Sequence, residues 1–587
     1  MAGTTKKISR AKSNQLNGGE VIAKALAGYG VRTVACLSGT AHTHLLFAFE
    51  NSNIRIVSGR HETATVAVAD GYSRVSGTLG VALIKADQGL PNAMSGIITA
   101  NQACSPVVVL VSMLPDPKRE AADEWPNDWL DMVKPYAKWV RSVPAVDRLE
   151  EFVHAAARHA TSGRPGVAVL GIPQHFEGRA VDAVQTVSPV PMEPSVPSKA
   201  AIDQAADLLA RAKRPMILAG TGAALSGAGH ALREISKAHN VPVLANALGR
   251  GLVPEDLKLG FSWPLAQVAA KDADVVLIVG LRMTERLGYG LAPRFNGSAK
   301  FIQIDVEAEE IGRNRPVDVP LVGDARLTVE ALSKALRKRK SAAKKKLPTW
   351  VNTAMKARLA RIEELGKDKD APVHPYRIGR ELMKQMPANA IYVGDGADIQ
   401  NWMHAILRIR SERGFMDHYP LGSMGIGTPL AIGAAAAARD ESEATGEPPR
   451  PVVLVTGDGA FGFYAAEFNA LSLADLKLVC IISNDGAWGT EKHGQLNAVG
   501  KAINCELGQW DYNLVGQMFG GRGEKVELPQ DVGPALKRAF AAETFSVVNV
   551  LTDPMAGLVR KQDPRVQTVA FEDLVSSLKT HHTPDVA

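Results

Sequence analysis

Two short acidic motifs in the last third of the chain carry side chains that could bind a metal ion. One, Gly-Asp-Gly at 457–459, ends the apolar run 452–456, and after 24 further residues Asn484-Asp485 ends the apolar run 479–482. Carboxylate and amide oxygens suit Mg²⁺, and glycines beside them let backbone amides approach a phosphate closely. Either motif alone is typical of a turn. Together, after two apolar runs, they predict a magnesium site that also holds a diphosphate.

The elements that must position these motifs are strands and helices in regular alternation. Helix-length amphipathic segments such as 19–28 and 61–74 separate short apolar runs. The apolar runs lie at 34–37, 81–84, 107–112, 167–171, 215–218, 241–244, 275–279, 301–304, 391–393, 452–455, 478–482 and 546–551. This alternation predicts an α/β fold of parallel sheets with helices on both faces. Ligands of such sheets bind at the carboxyl ends of the strands, where both acidic motifs stand.

Two segments without hydrophobic periodicity divide the chain. A Pro-rich stretch at 187–197 and a Lys-rich stretch at 338–348 read as linkers. Three doubly wound parallel-sheet domains are therefore predicted, followed by a tail. The predicted boundaries are 15–185, 198–337 and 370–555 for the domains and 556–587 for the tail.

Composition excludes several classes of protein. The chain of 587 residues is 46% hydrophobic and 22% charged, which is enough apolar content for large cores. Its net charge of +6 comes from an N-terminal arm and the run 334–346, which is not the pattern of a nucleic-acid-binding surface. Four cysteines without a CxxC pair favour a reducing compartment over a disulfide scaffold or a zinc ribbon. No apolar run of 18 residues is present, so we expect a cytoplasmic protein that binds neither membrane nor nucleic acid.

Four motifs in chain order resemble those of the thiamine-diphosphate-dependent enzymes of the acetolactate synthase, pyruvate oxidase and decarboxylase superfamily. They are Arg-His-Glu at 60–62 followed by ADGYSR at 69–74, GRPGV at 163–167 with a later Ile-Pro, LGSMGIGTP at 421–429, and the Gly-Asp-Gly…Asn-Asp pair. The resemblance covers nearly the whole chain. It implies a pyrimidine-binding domain, a middle domain and a diphosphate- and Mg²⁺-binding domain, in that order.

The resemblance also implies how the cofactor's rings are held. Glu62 would contact N1′ of the aminopyrimidine and help form the imino tautomer that deprotonates thiazolium C2. That task suits a carboxyl group in an apolar site, where its charged and protonated forms are close in energy. Met424 would wedge the cofactor into its bent form, and the Gly422 carbonyl would meet the 4′-amino group.

Metal and diphosphate ligands carry over in the same way. Asp458 would bind Mg²⁺ together with Asp485 and the Ala487 carbonyl when Trp488-Gly489 is aligned with the family's fixed glycine. Asn484 stays a candidate for the second side-chain ligand if the register shifts by one residue. The diphosphate candidates are Gly396, Ala397, Gly457, Asp458, Gly459, Ala460, Asn484, Gly489 and Thr490. In these enzymes Glu62 of one chain and Asp458 of another would meet, so the resemblance implies a homodimer or homotetramer with active sites at the subunit interface.

The substrate is suggested by the residues after the metal motif. Glu491 follows Trp488-Gly-Thr, where acetolactate synthases carry apolar residues, and this pattern resembles 2-hydroxyacyl-CoA lyases. There such a Glu carries a proton between a substrate hydroxyl and a carbanion, which requires partial desolvation of its carboxyl group. Sulfoacetaldehyde acetyltransferase, 2-oxoacid decarboxylase and acetolactate synthase stay open as alternatives. A relative that keeps the fold without catalysis is the alternative from another class.

The first domain departs from acetolactate synthase in three loops. Its Pro-Gly-Gly-Ala loop is replaced at 38–44 by a segment with His42 and His44, and Gln88 and Trp125 stand in the other two loops. We expect His42 and Gln88 to take part in catalysis, and all four residues are candidates for shaping a different substrate pocket. The His-x-His pair has no third ligand nearby in sequence and is not predicted to bind a metal.

The middle domain carries a weak nucleotide signal. Gly-Thr-Gly at 220–222 follows one strand, and Asp305 ends another, where it could hold a ribose hydroxyl. Arg282, Arg286 and Asp305 are the candidate contacts to FAD, ADP or CoA, with an empty scaffold as the alternative. The tail contains four basic residues, Lys561 among them, and is interpreted either as a lid over an acyl-CoA or as a frayed terminus.

Overall fold

Three six-stranded sheets, each wrapped by helices, follow one another along the chain. The computed structural model describes residues 15–115, 129–181, 193–339 and 348–557. The strands are β1 (Leu16–Asn17), β2 (Thr33–Cys36), β3 (Arg55–Ser58), β4 (Gly80–Lys85), β5 (Val107–Met113), β6 (Trp139–Ser142), β7 (Val167–Pro173), β8 (Ala180–Val181), β9 (Pro215–Ala219), β10 (Val243–Ala245), β11 (Gly260–Ser262), β12 (Val275–Val279), β13 (Lys300–Asp305), β14 (Val319–Val322), β15 (Ile391–Gly394), β16 (Phe415–Asp417), β17 (Val452–Gly457), β18 (Val479–Asn484), β19 (Arg522–Val526) and β20 (Ser546–Leu551). The α-helices are α1 (Gly18–Gly28), α2 (Thr43–Asn51), α3 (Glu62–Ser76), α4 (Gly89–Gln102), α5 (Trp129–Val133), α6 (Leu149–Thr161), α7 (Gln174–Glu177), α8 (Lys199–Arg211), α9 (Thr221–Leu225), α10 (Gly229–His239), α11 (Trp263–Ala266), α12 (Ala325–Arg337), α13 (Thr349–Gly366), α14 (Pro375–Gln385), α15 (Asp398–Ile406), α16 (Gly427–Thr445), α17 (Asp458–Tyr464), α18 (Phe468–Leu473), α19 (Gly489–Val499), α20 (Asn513–Met518) and α21 (Pro529–Phe540).

The strand order is the same in the first and third sheets and different in the second. It is β3-β2-β4-β5-β7-β6 in the first, β11-β10-β9-β12-β13-β14 in the second and β16-β15-β17-β18-β20-β19 in the third. All neighbouring strands in these sheets are parallel. In each sheet the chain builds outward on one side and then crosses to the other, which is the doubly wound arrangement. The predicted fold class is therefore confirmed.

The strands form where the sequence has continuous apolar runs. All seven residues of β5 are buried, as are the five of β12 and the first five of β17, because helices cover both faces of each sheet. Each apolar run predicted to be a strand corresponds to one, and the predicted helices 19–28 and 61–74 correspond to α1 and α3.

One long element was not predicted. The helix α13 lies in 349–366, between the predicted charged linker and the predicted start of the third domain. Its Val351 and Met355 pack in one apolar cluster with Trp263 of the second sheet's helices and Leu382 of the third's. Alternating charges along this helix mask its apolar face in the sequence. The predicted domain boundaries themselves stay predictions.

The first and third sheets are joined by two helices packed backbone to backbone. A Cβ added to Gly71 of α3 would lie 2.1 Å from the Leu430 carbonyl oxygen of α16, and one added to Gly433 would lie 2.0 Å from the Val68 oxygen. Asp440, on α16, accepts hydrogen bonds from the hydroxyl groups of Thr33 (2.7 Å) and Tyr72 (2.9 Å). The first and third sheets are therefore held together within the chain by the close packing of α3 against α16.

We expect Gly71→Ala to lower the midpoint of thermal unfolding although Ala is the better helix former. The added methyl group would overlap the Leu430 carbonyl, and overpacking of this kind costs about 1–3 kcal/mol. Gly297→Ala is the matched control, because a Cβ there meets no atom within 4 Å. Equal midpoints for the two variants in a thermal melt would contradict the close approach of these helices.

A buried ion pair joins the second and third sheets. Arg250 donates to both Glu255 oxygens at 2.8 Å and to the Leu407 carbonyl at 3.0 Å. The Ile409 amide donates to Glu255 at 2.9 Å. Both charged side chains are almost completely buried, so removal of one partner would leave the other charge buried and uncompensated.

Two further predictions can be compared with the fold. All four cysteines are buried free thiols. No helix in the described part of the chain is long and apolar enough to cross a membrane.

Candidate active site

The candidate residues gather at the crevices where the strand order reverses. In each doubly wound sheet this crevice lies at the carboxyl ends of the two strands on either side of the reversal. The first lies beyond β2 and β4, where His42 and Gln88 follow. The second lies beyond β9 and β12, and the third lies beyond β15 and β17, where Gly396 and Asp458 follow. The topology thus places one group of predicted residues at each crevice.

The third crevice holds a pair of buried carboxyl groups. Asp458 begins α17, and its carboxyl group lies beside that of Asp485. The Asp458 Oδ2 atom is buried and has no hydrogen-bond partner among the described residues. Burial raises the pKa of both carboxyl groups, and the charge of Asp458 raises the pKa of Asp485 further. A pair held in this way can accept a cation.

The structure distinguishes the two members of the Asn-Asp step. The Asn484 side-chain nitrogen donates to the Trp510 carbonyl (2.9 Å) and to Asn549 Oδ1 (3.1 Å), while its own Oδ1 is buried without a partner among the described residues. Asp485 instead faces Asp458, and the Ala487 amide donates to its Oδ1 at 3.2 Å. Within the described ranges there is no cluster of three or more His, Cys, Asp or Glu side chains suited to a metal. A cation here would therefore take two carboxylates and complete its shell with a carbonyl and outside oxygens.

The backbone at Gly396, Gly489 and Thr490 lies around this pair and is here called the glycine cradle. Gly396 has φ of +81°, and a Cβ on it would lie 3.0 Å from the Gly457 amide nitrogen. A Cβ on Gly489 would lie 2.4 Å from Asp485 Oδ2. The Thr490 Oγ1 atom is buried without a partner among the described residues. Only glycine permits such close approach of backbone to a ligand, so the cradle fits a diphosphate.

Asp395, which was not predicted, ties two candidate loops together. Its buried carboxylate accepts hydrogen bonds from the amides of Gly396 (2.7 Å), Gly425 (3.3 Å) and Gly427 (2.9 Å). Burial raises the pKa of Asp395 to about 7, against these three donors. The loop with Gly396 and Ala397 is thereby held against the turn that follows Gly422 and Met424. The signal in the sequence was an acid between two glycines directly after a buried strand.

Glu62 lies in the first turn of α3 at the carboxyl edge of the first sheet. It is 8% exposed, and the Asn92 amide donates to its Oε2 at 3.1 Å. A Cβ on Gly89 would lie 3.4 Å from its Oε1. The helix N-terminus favours its negative charge. The carboxyl group is thus held between α3 and α4 with one neutral donor and no basic partner among the described residues.

A second unpredicted acid positions the segment before Glu62. The Arg60 amide donates to both Glu467 oxygens at 3.1 Å, and the His61 backbone donates to the same carboxylate. Burial raises the pKa of Glu467 to about 7. Its signal was the single charged residue in the apolar stretch 460–471, because such a residue is rarely buried without a partner.

The structure does not bring all predicted residues together in one chain. None of the hydrogen bonds of Glu62 within the described residues reaches the Asp458 pair. Glu491, in the first turn of α19, is exposed and has no partner in the described ranges. The partial desolvation expected for Glu491 is therefore not met within a single chain. Met424 is half-buried, and a Cβ on the next residue, Gly425, would lie 2.4 Å from the Cβ of the exposed Phe463.

Two of the loop residues in the first domain lie at its crevice. His42 is completely buried, and burial with the nearby charge of Lys85 lowers its pKa to about 4. Gln88 is exposed beside Asp87, immediately before α4. His44 is exposed. Trp125 and the tail beyond 557 lie outside the described residues.

The middle-domain candidates line a large cavity. About 1010 Å³ in volume, it extends from Asp305 past Arg282 to Tyr419, three residues before Gly422. Arg282 donates to the Gln102 carbonyl at 2.7 Å, and the Arg286 guanidinium lies 3.6 Å from the centre of the Tyr419 ring. Burial raises the pKa of Asp305, whose Oδ1 accepts from the Glu307 amide at 3.0 Å.

Three family models match the chain in order. They are "Thiamine pyrophosphate enzyme, N-terminal TPP binding domain" at 16–133, the "central domain" at 202–332 and the "C-terminal TPP binding domain" at 395–550.

Full-length relatives carry two kinds of name. The acetolactate synthase large subunit IlvG of Mycobacterium tuberculosis is 32% identical over 557 residues, covering 94% of this chain and 99% of the relative. The 2-hydroxyacyl-CoA lyase of Arabidopsis thaliana is 29% identical over 567 residues, covering 92% and 96%. The 2-hydroxyacyl-CoA lyase 1 of Homo sapiens is 27% identical over 565 residues, covering 92% and 95%.

A solved structure shares the fold. It is described as a thiamin diphosphate-dependent enzyme from Mycobacterium smegmatis and superposes with a TM-score of 0.77 at 21% identity, covering 92% of this chain and all of that one.

Proposed function

The chain belongs to the thiamine pyrophosphate-dependent enzymes, and from that premise we propose that it is a Mg²⁺-dependent carbon–carbon lyase. It would cleave a 2-hydroxyacyl-CoA to formyl-CoA and an aldehyde or ketone, reversibly. The observation that carries this choice of substrate is the continuous cavity that extends from Asp305 to Tyr419. A panel of candidate substrates tests this function.

The metal ion would bind at the buried carboxyl pair. Asp458 and Asp485 supply two charged oxygens, and the Ala487 carbonyl is the third protein ligand in this proposal. The unpartnered Asp458 Oδ2 supports it, because a buried carboxylate oxygen without a donor is costly unless a cation satisfies it. Asn484 would support the loop from behind through Trp510 and Asn549.

The diphosphate would lie in the glycine cradle next to that ion. Its proposed contacts are Gly396, Ala397, Gly457, Gly459, Ala460, Gly489 and Thr490. When bound, thiamine diphosphate supplies a carbanion that adds to a carbonyl and stores the electrons of the broken bond. The chain's own part is to hold the two ring systems through Gly422 and Met424 and to place the Glu62 carboxyl group at the pyrimidine.

Two subunits would complete each site. Glu62 and Asp458 stand at different crevices of one chain without a shared contact, although both have proposed roles at the same cofactor. A homodimer would let Glu62 of one protomer meet the metal site of its partner, and a homotetramer would pair two such dimers. Exposed apolar side chains near the third crevice, Phe463 (56%) and Trp510 (65%) among them, support a partner surface there. The same closure would bury Glu491, as its proposed proton transfer requires.

The cavity fits a CoA ester in size and chemistry. At about 1010 Å³ it lies at the upper end of the range of roughly 300–1,000 Å³ for small-molecule sites. Arg282 and Arg286 would bind phosphates, and Asp305 a ribose hydroxyl. Since the cavity reaches Tyr419, the acyl end would arrive beside Gly422 and Met424. ADP or FAD would use the same phosphate contacts without presenting an acyl group.

The second candidate is ligation of two 2-oxoacids, as in acetolactate synthases. Its support is the higher identity, 32%, of the relatives with that name. Glu491 argues against this candidate, because it is an ionisable residue at a position where acetolactate synthases carry apolar residues. The two candidates share the cofactor and differ in the cavity's occupant.

A substrate panel separates these candidates. The purified protein with thiamine diphosphate and Mg²⁺ would be given formyl-CoA plus acetone, pyruvate alone, or sulfoacetaldehyde plus phosphate. We expect the mixture of formyl-CoA and acetone to give a 2-hydroxyacyl-CoA. In Arg282→Gln, kcat/KM for this reaction should fall tenfold or more. Arg326→Gln, on the exposed side of α12, is the control. Product from pyruvate alone would overturn the lyase and favour the ligase.

A further inference from the structure

A chain of three buried polar side chains crosses the carboxyl edge of the first sheet. The His42 Nδ1 atom lies 2.9 Å from Ser112 Oγ, and Ser112 Oγ donates to Glu177 Oε1 at 2.7 Å. The exposed fractions are 0% for His42 and Ser112 and 1% for Glu177. Ser112 is the next-to-last residue of the central strand β5, and Glu177 is the last residue of α7.

Nothing in the packing of the sheet explains why these three groups are polar. Burying a carboxyl group, a hydroxyl group and an imidazole costs free energy that apolar residues of similar size would not. Their hydrogen bonds to one another and the backbone hydrogen bond from Leu45 to the Glu177 carboxylate offset only part of this cost, since His42 Nε2 has no partner among the described residues. An unpartnered nitrogen at the end of an otherwise bonded chain indicates a ligand.

The chain of hydrogen bonds fixes the tautomer of His42. An ionised Glu177 carboxylate can only accept hydrogen bonds, so the single hydroxyl proton of Ser112 is donated to Glu177. Ser112 must then accept from His42, which places the imidazole proton on Nδ1 and the lone pair on Nε2. His42 is neutral here, because burial and the charge of Lys85 disfavour the imidazolium.

Gly39, which has no side chain, lies beside the Nε2 edge of the completely buried His42, since a Cβ there would be 3.7 Å from Nε2. His42 stands at the crevice beyond β2 and β4, on the same edge as Gln88, and Gly89 next to Gln88 approaches Glu62. A base there would meet a substrate that reaches the edge from the cofactor side.

We propose that Ser112 and Glu177 are positioning residues that hold His42 with its Nε2 lone pair available to the substrate hydroxyl. This rests on the proposed cleavage of a 2-hydroxyacyl-CoA. The substrate O–H bond breaks and its proton binds Nε2, while the O–H electron pair forms the product's carbonyl as the carbon–carbon bond to the acyl carbon breaks. The electron pair of that carbon–carbon bond would pass to the bound cofactor. The resulting imidazolium keeps its Nδ1 proton on Ser112, backed by the charge of Glu177.

The substrate-free test reads the tautomer by ¹⁵N NMR of holoenzyme labelled at histidine. We expect His42, identified by its loss in His42→Asn, to carry its proton on Nδ1 at pH 8, above the raised pKa of Glu177, which is about 7. In Glu177→Gln the amide can donate to Ser112, which then donates to Nδ1, so the proton should move to Nε2. Ser112→Thr keeps the hydroxyl group and should keep the tautomer. An Nε2 proton in the wild type would overturn the proposal.

The kinetic test is a double-mutant cycle. Glu177→Gln should lower kcat at least tenfold for whichever substrate of the panel the wild type turns over, and should cost nothing further in His42→Asn. Cofactor affinity should change less than twofold in both. Equal losses of kcat from Glu177→Gln in the wild type and in His42→Asn would mean that Glu177 is merely structural. An unchanged kcat in Glu177→Gln would mean that Glu491 takes the proton directly. If the tautomer result holds and only pyruvate reacts, the proposed lyase function fails and the tautomer assignment stands.

Discussion

Glu62→Gln should lower turnover about 10²–10⁴-fold, the range for loss of a positioned acid–base group. The substitution keeps the shape of the side chain and can still hydrogen-bond Asn92, but it cannot gain and lose a proton. Because Glu62 touches neither the Asp458 pair nor the glycine cradle, Mg²⁺ and diphosphate binding should survive. Turnover by product formation and cofactor affinity by calorimetry would be measured on the same preparation.

The control for this variant is Glu151→Gln. Glu151 also lies in the first turn of a helix of the first domain, α6, but it is exposed and pairs with Arg148 on the surface. It should leave turnover unchanged. Retained activity in Glu62→Gln would remove Glu62 from the chemistry and would favour a binding protein that keeps the fold without catalysis.

Asp458→Asn should abolish stabilisation by Mg²⁺ and thiamine diphosphate. In the wild type the ligands should stabilise the fold by about 2.7 kcal/mol at one hundred times their Kd, and the variant should show almost none of this. Thermal melts with and without ligands and with EDTA would measure it. Asp511→Asn, an exposed acid of the same domain that pairs with Lys525, is the control.

The same variant should be more stable than the wild type when metal and cofactor are absent. Burial raises the pKa of Asp458 in the folded state above its unfolded value. The ionised carboxyl group therefore destabilises the fold increasingly as pH rises through that interval. Asn has no such charge, so its advantage should grow from about pH 4 to pH 6, between the unfolded and folded pKa values of Asp458, and stay nearly level above pH 6. A variant that melts below the ligand-free wild type at pH 8 would contradict the buried, cation-free pair.

The neighbouring positions test which residue is the second ligand. Asp485→Asn should lose Mg²⁺ affinity as Asp458→Asn does. Asn484→Ala should instead lower the unfolding midpoint, because it removes hydrogen bonds to Trp510 and Asn549 while leaving both carboxylates in place. The reverse pattern would assign the ligand role to Asn484.

Local pattern sufficed for the strands and for the acidic motifs. A fully buried parallel strand reads as an uninterrupted apolar run, so β5, β12 and β17 were predictable, and Asp458 was predictable from its place at the end of one. The helix α13 was not, because a helix between two domains presents a narrow apolar face among charges. The roles of Asp395, which lies in the predicted diphosphate loop, and of Glu467 were missed for a related reason: most of their partners are backbone amides 30 or more residues away, and amides are the same in every residue.

The sequence alone determined the fold class, the order of the three domains and the family. It also contained the residue types needed to bind a metal, a diphosphate and a pyrimidine. These follow from periodicity and short motifs, which are local in the chain. Only the tertiary structure decided that one cavity connects Asp305 to Tyr419 and that Ser112 and Glu177 hold His42, and it showed Asp485, the residue that the alignment favoured, beside Asp458. Each of these depends on which strand ends become neighbours, and the crossovers of a doubly wound sheet place neighbours tens of residues apart.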